Sequence, residues 1–135
     1  MRAPLDSGLA QFTTIYPGWY IGRTTHIHLR VRTYSGSSVS GDFETQAFFD
    51  DSVTDTVYLQ SPYNARGSRD TRNFTDRVYT GAGNASLSLW SLTKTSNGYA
   101  ATLSLAVSPA TPAATGFWST FTLPDQPAPF AIEVS

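Results

Sequence analysis

Between Thr25 and Tyr34 the side chains alternate in character, with Ile27, Leu29 and Val31 on one side and His26, His28, Arg30 and Arg32 on the other. A period of two is that of a β-strand with one buried and one wet face; a helix would scatter both sets around its circumference. A half-buried strand needs partners, and the sequence offers them. Ser35 to Gly41 is a Ser/Gly turn and Phe43 to Phe49 a second strand, so the two most simply form a hairpin. Strand patterns return at Leu87–Thr93 and Tyr99–Val107 around the hairpin signal Asn97-Gly98, and Tyr99, Ala101, Leu103, Leu105 and Val107 share one face. Gln11 to Ile15 is a short strand candidate ended by Pro17-Gly18, and residues 1–10 read as a lead-in with a turn at Asp6-Ser7-Gly8. With 13% aromatic residues, abundant Thr and few strong helix formers, the composition suits pleated surfaces. The expected fold class is all-β, a β-sandwich with one long excursion at residues 50–80, where no period is sustained. A chain of 135 residues is enough for one such core.

Charge narrows the partners. Nine Lys+Arg against ten Asp+Glu leave a net charge of −1, which offers nothing to nucleic acid or to an anionic membrane surface. No apolar run approaches the roughly 20 residues of a spanning helix. Met1-Arg2-Ala3-Pro4 is not followed by the apolar stretch of a signal peptide. The absence of cysteine excludes disulfides and thiolate metal sites. Location and oligomeric state leave no mark in the sequence.

The segment Tyr16-Pro17-Gly18-Trp19-Tyr20-Ile21-Gly22-Arg23-Thr24-Thr25-His26-Ile27-His28 carries the chemistry. On a strand, residues two apart share a face with α-carbons roughly 6.7 Å apart, so His26 and His28 can converge on one ion. They can equally be paired surface histidines beside Arg30 and Arg32, and zinc suits His-x-His as well as iron does. Tyr20 stands between two glycines just before the histidine strand. A phenol, with an ordinary pKa of about 10, becomes a ligand only where a strongly charged cation displaces its proton, and ferric iron does this better than zinc. The plainer reading of Tyr20 and Trp19 is aromatic packing beside a turn.

Phe12-Thr13-Thr14-Ile15, then Pro17-Gly18-Trp19-Tyr20-x-Gly22-Arg23-x-x-His26-Ile27-His28, then Thr45-Gln46-x-Phe48-Phe49 together resemble the core signature of the intradiol ring-cleavage dioxygenase family. Ser61-Pro62-Tyr63 and Arg69-Asp70-Thr71-x-Asn73 are similar to a recurrent loop of one branch, and the likeness runs from about Ser7 to Val107. The resemblance implies a non-haem Fe(III) centre held by two tyrosines and two histidines, with Tyr20 as the second tyrosine and His26 and His28 as the histidines. It implies that Arg23 faces the substrate and stabilises negative charge on the ring, and that Gln46 lines the same pocket. The implied substrates are a catechol-type aromatic and O₂, the catecholate displacing Tyr20 from the iron. No organic cofactor is implied.

The family's first tyrosine lies well upstream of this motif, and no tyrosine precedes Tyr16, which is itself too close to the motif to match it. A core lacking its N-terminal strands is therefore expected, with residues 1–108 forming the partial sandwich and residues 109–135 a Pro/Ala linker and tail. The alternative function is a catalytically inactive remnant or β-sandwich binding module. A His-x-His zinc hydrolase would need a water-activating acid that the sequence does not supply, and no Ser-His-Asp triad is available. Asp50, Asp51 and Asp55 read as a solvated turn, and Arg66, Arg69, Arg72 and Arg77 with Asp70 and Asp76 as surface ion pairing in a loop. Trp90 and Trp118 read as core or edge aromatics.

Overall fold

The computed structural model describes residues 2–5, 9–81, 88–106 and 130–134, of which 2–5 and 130–134 are described as strand backbone. The chain divides into two units: Met1–Thr14, His28–Gln46 and Leu105–Ser135 in one, Ile15–Ile27 and Ala47–Ser104 in the other.

The first unit is built on the alternating strand. Strand β2 spans His26–Ser35, after the short β1 at Arg2–Leu5, and runs into β3 at Ser38–Phe48. Leu29, Val31 and Thr33 are buried while His28, Arg30 and Arg32 are half-buried, so the period of two holds along this stretch. The hairpin closes in two residues, Gly36 and Ser37, because Gly36 takes φ 60°, a left-handed conformation that costs glycine little. The expected seven-residue turn is thus mostly strand, and β3 begins five residues before Phe43.

The four-stranded sheet has the order β1-β6-β2-β3, with β6 at Phe130–Val134. Strand β6 is antiparallel to both neighbours, pairing Arg2 with Glu133 on one side and Leu29 with Val134 on the other. The lead-in expected at residues 1–10 thus contains a strand, one that shows no alternation of its own and exists through a distant partner. Pro4 is tolerated there because β1 is at the sheet edge. Asp6-Ser7-Gly8 and the apolar stretch Phe117–Leu123 lie outside the described residues.

The second unit holds the excursion, and it is not irregular. Helix α1 spans Asp51–Tyr58, two 3₁₀ turns cover Tyr63–Arg66 and Asn73–Thr75, and α2 spans Arg77–Gly81. Asp50 caps α1 by accepting from the Ser52 amide, and Thr54, Val57 and Tyr58 form its buried face. Helical period was hard to see because Thr and Asp are weak helix formers, and Thr54 and Thr56 donate back to the Asp50 and Ser52 carbonyls. The helix rests on packing and its cap rather than on propensity. A second antiparallel sheet pairs β4, Ser91–Thr95, with β5, Gly98–Thr102. Thr95 pairs with Gly98, so the hairpin loop is Ser96-Asn97, one residue earlier than expected. Residues 103–106 continue without strand pairing, and Val107 is outside the described residues. Gln11–Ile15 forms no strand; Ile15 is 79% exposed and so lacks the buried face that a strand there requires.

The core of this unit is Ala47, Phe48 and Phe49 with Val57 and Tyr58. Phe48 is fully buried, worth about 1.5–3 kcal/mol of apolar burial. Its ring meets that of Tyr79 edge-on at 5.1 Å, and its carbonyl accepts the Trp90 amide at 2.9 Å. Around Tyr16 gather Phe49, Tyr58, Tyr63 and Tyr99.

Candidate metal centre

The chain from Tyr16 to Thr25 has no regular structure of its own, so its position depends on side chains that reach it from elsewhere in the second unit. Tyr58 donates its hydroxyl proton to the Pro17 carbonyl at 2.9 Å, which obliges the Thr25 hydroxyl to donate to Tyr58 across 2.7 Å. Tyr63 donates to the Tyr16 carbonyl. Burial pushes both the Tyr16 and Tyr58 phenols up from their ordinary values, so both stay protonated. The Tyr16 hydroxyl is held by Thr54 at 2.8 Å inside the aromatic cluster.

Tyr20 to Arg23 is a tight turn, closed by a bond from the Arg23 amide to the Tyr20 carbonyl at 3.3 Å. Gly22, third in the turn, has φ 81°, as a type II turn demands. The turn directs Tyr20 back towards the start of β2. Its hydroxyl lies 3.2 Å from His26 Nε2, with ring centroids 5.6 Å apart. Tyr20 is 47% exposed, whereas His26 is buried, its ring 5.9 Å from that of Phe48. His26 Nδ1 is 2.6 Å from the Thr24 carbonyl, an acceptor only, so Nδ1 carries a proton, and in the neutral ring Nε2 then presents its lone pair to Tyr20.

Tyr20 and His26 are therefore brought together. His28 and Gln46 belong to the first unit. His28 Nδ1 lies 3.4 Å from Glu44 Oε1, a residue the sequence did not single out, and Gln46 is half-buried on β3. Arg23 donates Nε to Asp76 Oδ2 at 2.9 Å.

Asp76 is the main correction to the sequence reading. It was expected in a surface ion pair; it is 1% exposed. Its Oδ2 accepts from Arg23 and from the Thr24 amide at 2.8 Å, and its Oδ1 accepts from the Val78 and Tyr79 amides. Burial alone would raise this carboxyl, but the Thr24, Tyr79 and Val78 amides and the Arg23 guanidinium hold it below the usual carboxylate range. Two neighbours grip the same turn: Asp70 accepts from the Gly22 amide, and Asn73 accepts from the Thr24 hydroxyl at 2.7 Å. The local signal was an Asp just before Arg77-Val78-Tyr79, a helix cap.

The other charged residues of the excursion are also more ordered than a solvated loop. Arg69, with only 4% of its side chain exposed, binds both Asp51 and Asp55, and Arg72 binds Asp55 as well. Arg66 stands over the Trp19 ring at 5.3 Å. Trp90 packs on Phe49, while Trp118 lies outside the described residues.

Two solved structures are similar to this chain. An intradiol ring-cleavage dioxygenase from Tetranychus urticae is 31% identical with a TM-score of 0.63, and the match covers 78% of this chain and 49% of that one. The dioxygenase Tetur07g02040 gives the same identity and coverage with a TM-score of 0.64. The chain belongs to the intradiol ring-cleavage dioxygenase family. It has the all-β fold of that family and spans about half the length of these relatives. No family model matches the sequence, and a comparison with curated proteins finds no match.

The donor set fits the ferric iron that an intradiol dioxygenase implies. Among the described residues no three His, Cys, Asp or Glu side chains form a ready cation site, so a centre here depends on the phenol. Tyr20 Oη and His26 Nε2, 3.2 Å apart, have the spacing of two donors sharing one ion through bonds of roughly 2.0–2.2 Å. A hard phenolate with a neutral imidazole favours a highly charged cation. The bond from His26 to Thr24 is the kind of outer contact that fixes an imidazole when it holds a metal.

Proposed function

We propose that this chain contributes Tyr20, His26 and His28 to a non-haem Fe(III) centre that cleaves a catechol-type aromatic with O₂, with Arg23 and Gln46 beside the substrate. The bond between the two hydroxyl-bearing carbons breaks, and both atoms of O₂ enter a muconate-type dicarboxylate. The ring loses four electrons and O₂ gains four, so no further reductant is needed. The carrying observation is the Tyr20–His26 pair at 3.2 Å, with the imidazole proton committed to Thr24. The family motif adds His28, two residues further along β2.

Ferric iron, when bound, supplies the charge that acidifies the catechol and holds the ring for reaction. Tyr20 is half exposed, so an incoming catechol can reach its oxygen and leave there one of the two protons it must lose. His26 stays in place, held by Thr24 and packed beside Phe48. The Arg23 guanidinium, anchored through Nε, disperses the negative charge that builds on the ring. The family motif adds Gln46 as a residue lining the same pocket.

The test is the visible spectrum of the chain reconstituted with ferric iron, before and after adding catechol without oxygen. The proposal expects a tyrosinate-to-iron charge-transfer band that is lost in Tyr20→Phe and shifts with catechol, followed by ring opening when O₂ is admitted. A colourless protein that retains no iron would sink it. So would unchanged catechol binding and stability in His26→Ala/His28→Ala, which would leave the binding module as the answer.

A further inference from the structure

We propose that Asp76 is a positioning residue, a buried carboxylate that sets both the Arg23 guanidinium and the His26 imidazole. This rests on the reading of Tyr20, His26 and Arg23 given above.

The argument starts from how the carboxylate is divided. Each oxygen accepts two hydrogen bonds. Oδ1 takes the Val78 and Tyr79 amides and so caps α2, an ordinary structural duty. Oδ2 does something a cap does not need: it takes the Thr24 amide at 2.8 Å and Arg23 Nε at 2.9 Å. Those two residues lie between Tyr20 and His26 in sequence, in a segment with no ladder of its own.

Two chains of contacts leave Oδ2. One runs through the Arg23 side chain. With Nε bound, the guanidinium plane loses rotation about its last torsions, and a planar fork held at one edge presents the rest of itself in a fixed direction. The other runs through Thr24. Asp76 holds its amide, Asn73 holds its hydroxyl at 2.7 Å, and its carbonyl accepts the His26 Nδ1 proton at 2.6 Å. The Thr24 amide and carbonyl lie in successive peptide planes joined at its α-carbon. Anchoring the N–H of one plane and the side chain on the shared carbon narrows the torsions by which the carbonyl could turn from the imidazole. The carboxylate thus reaches His26 through one intervening residue, and His26 presents Nε2 to Tyr20. Asp76 touches no candidate ligand itself.

Cap and positioning roles separate in two substitutions. In Asp76→Ser the hydroxyl still caps α2 but is too short to serve Arg23 and Thr24. In Asp76→Asn the single oxygen can stay on the helix amides, which turns an NH₂ against the Thr24 amide and Arg23. The experiment follows the His26 Nδ1 proton by NMR in the iron-free ¹⁵N-labelled chain. The proposal expects a slowly exchanging imidazole N–H in the wild type and exchange at least about tenfold faster in both variants, with far-UV circular dichroism unchanged. After ferric loading, the charge-transfer band should move or weaken in both. A folded variant with the wild-type exchange rate would overturn the proposal. Failure of both to fold would assign Asp76 to structure alone and overturn it too. The apo readout also separates this claim from the metal reading: a wild type that binds no iron, with the His26 proton still lost in the variants, fails the ferric centre and leaves Asp76 setting the imidazole.

Discussion

Arg30 and Asp42, within the first unit, form a fork, with Nε to Oδ1 at 2.7 Å and Nη2 to Oδ2 at 2.6 Å. Arg23 and Asp76, in the second, share one bond at 2.9 Å. By the count of bonds the hairpin pair is the better one. Its side chains are 42% and 26% exposed, however, whereas Asp76 is fully enclosed and Arg23 is 21% exposed. Water solvates Arg30 and Asp42 almost as well apart as together, so the pair adds little. Asp76 has exchanged water for three amides and a guanidinium, and each of those donors depends on it in turn. The lesson is that what stands around an ion pair outweighs the geometry between its two members.

The largest effect that follows is on Asp76. Asp76→Ala removes the carboxylate that Arg23 Nε, the Thr24 amide and two helix amides share and should cost about 3 kcal/mol, the scale for breaking a buried pair on one side. Urea unfolding of wild type and variant measures it. A loss no larger than that of Asp42→Ala would erase the contrast between the two regions.

Acid should sharpen the contrast by a smaller amount. Because the folded Asp76 carboxyl is held below its ordinary value of 3.8, its contribution is fully present above the ordinary range and is lost as pH falls through the folded value. The stability gap between wild type and Asp76→Ala should therefore be constant from about pH 6 to 8. Below about pH 4 it should close, by no more than about 1.4 kcal/mol per pH unit for one proton. A gap that closes as pH rises instead would mean that the carboxyl is protonated in the fold, and the account of its four donors would be wrong.

What the sequence revealed and what it hid follow the same division. The alternation of Leu29, Val31 and Thr33 with the polar residues of β2 was legible because a strand's own period encodes its buried face. The Tyr20 turn was legible because Gly22 must be where φ is positive. Asp76 was not, because its burial is a consequence of residues more than fifty positions away, and a carboxylate among arginines looks the same in sequence whether wet or dry. Helix α1 was hidden for a related reason: its buried face is carried by Thr54 and Tyr58 as much as by Val57, so polarity and period disagree. Strand β1 was missed because its pairing with β6 is non-local. Local pattern announces what local physics decides; the clasp on the candidate metal centre is decided at long range.

The smallest effect completes the comparison. Asp42 is held below the usual carboxylate range first by its hydrogen bond from Arg30, with Arg32 helping at 3.4 Å. Asp42→Ala removes an acceptor from two arginines that solvent already reaches, so the loss should be under about 1 kcal/mol. What remains should be electrostatic, and salt tests that directly: at 1 M the screening length falls to about 3 Å, close to the contact distance itself, so most of the difference from wild type should vanish. The Asp76→Ala deficit should persist in the same salt, because amides deprived of their acceptor are not rescued by mobile ions that cannot enter. Equal salt sensitivity in the two variants would show that Asp76 is solvated after all, and would remove the physical basis for giving it any hold on His26.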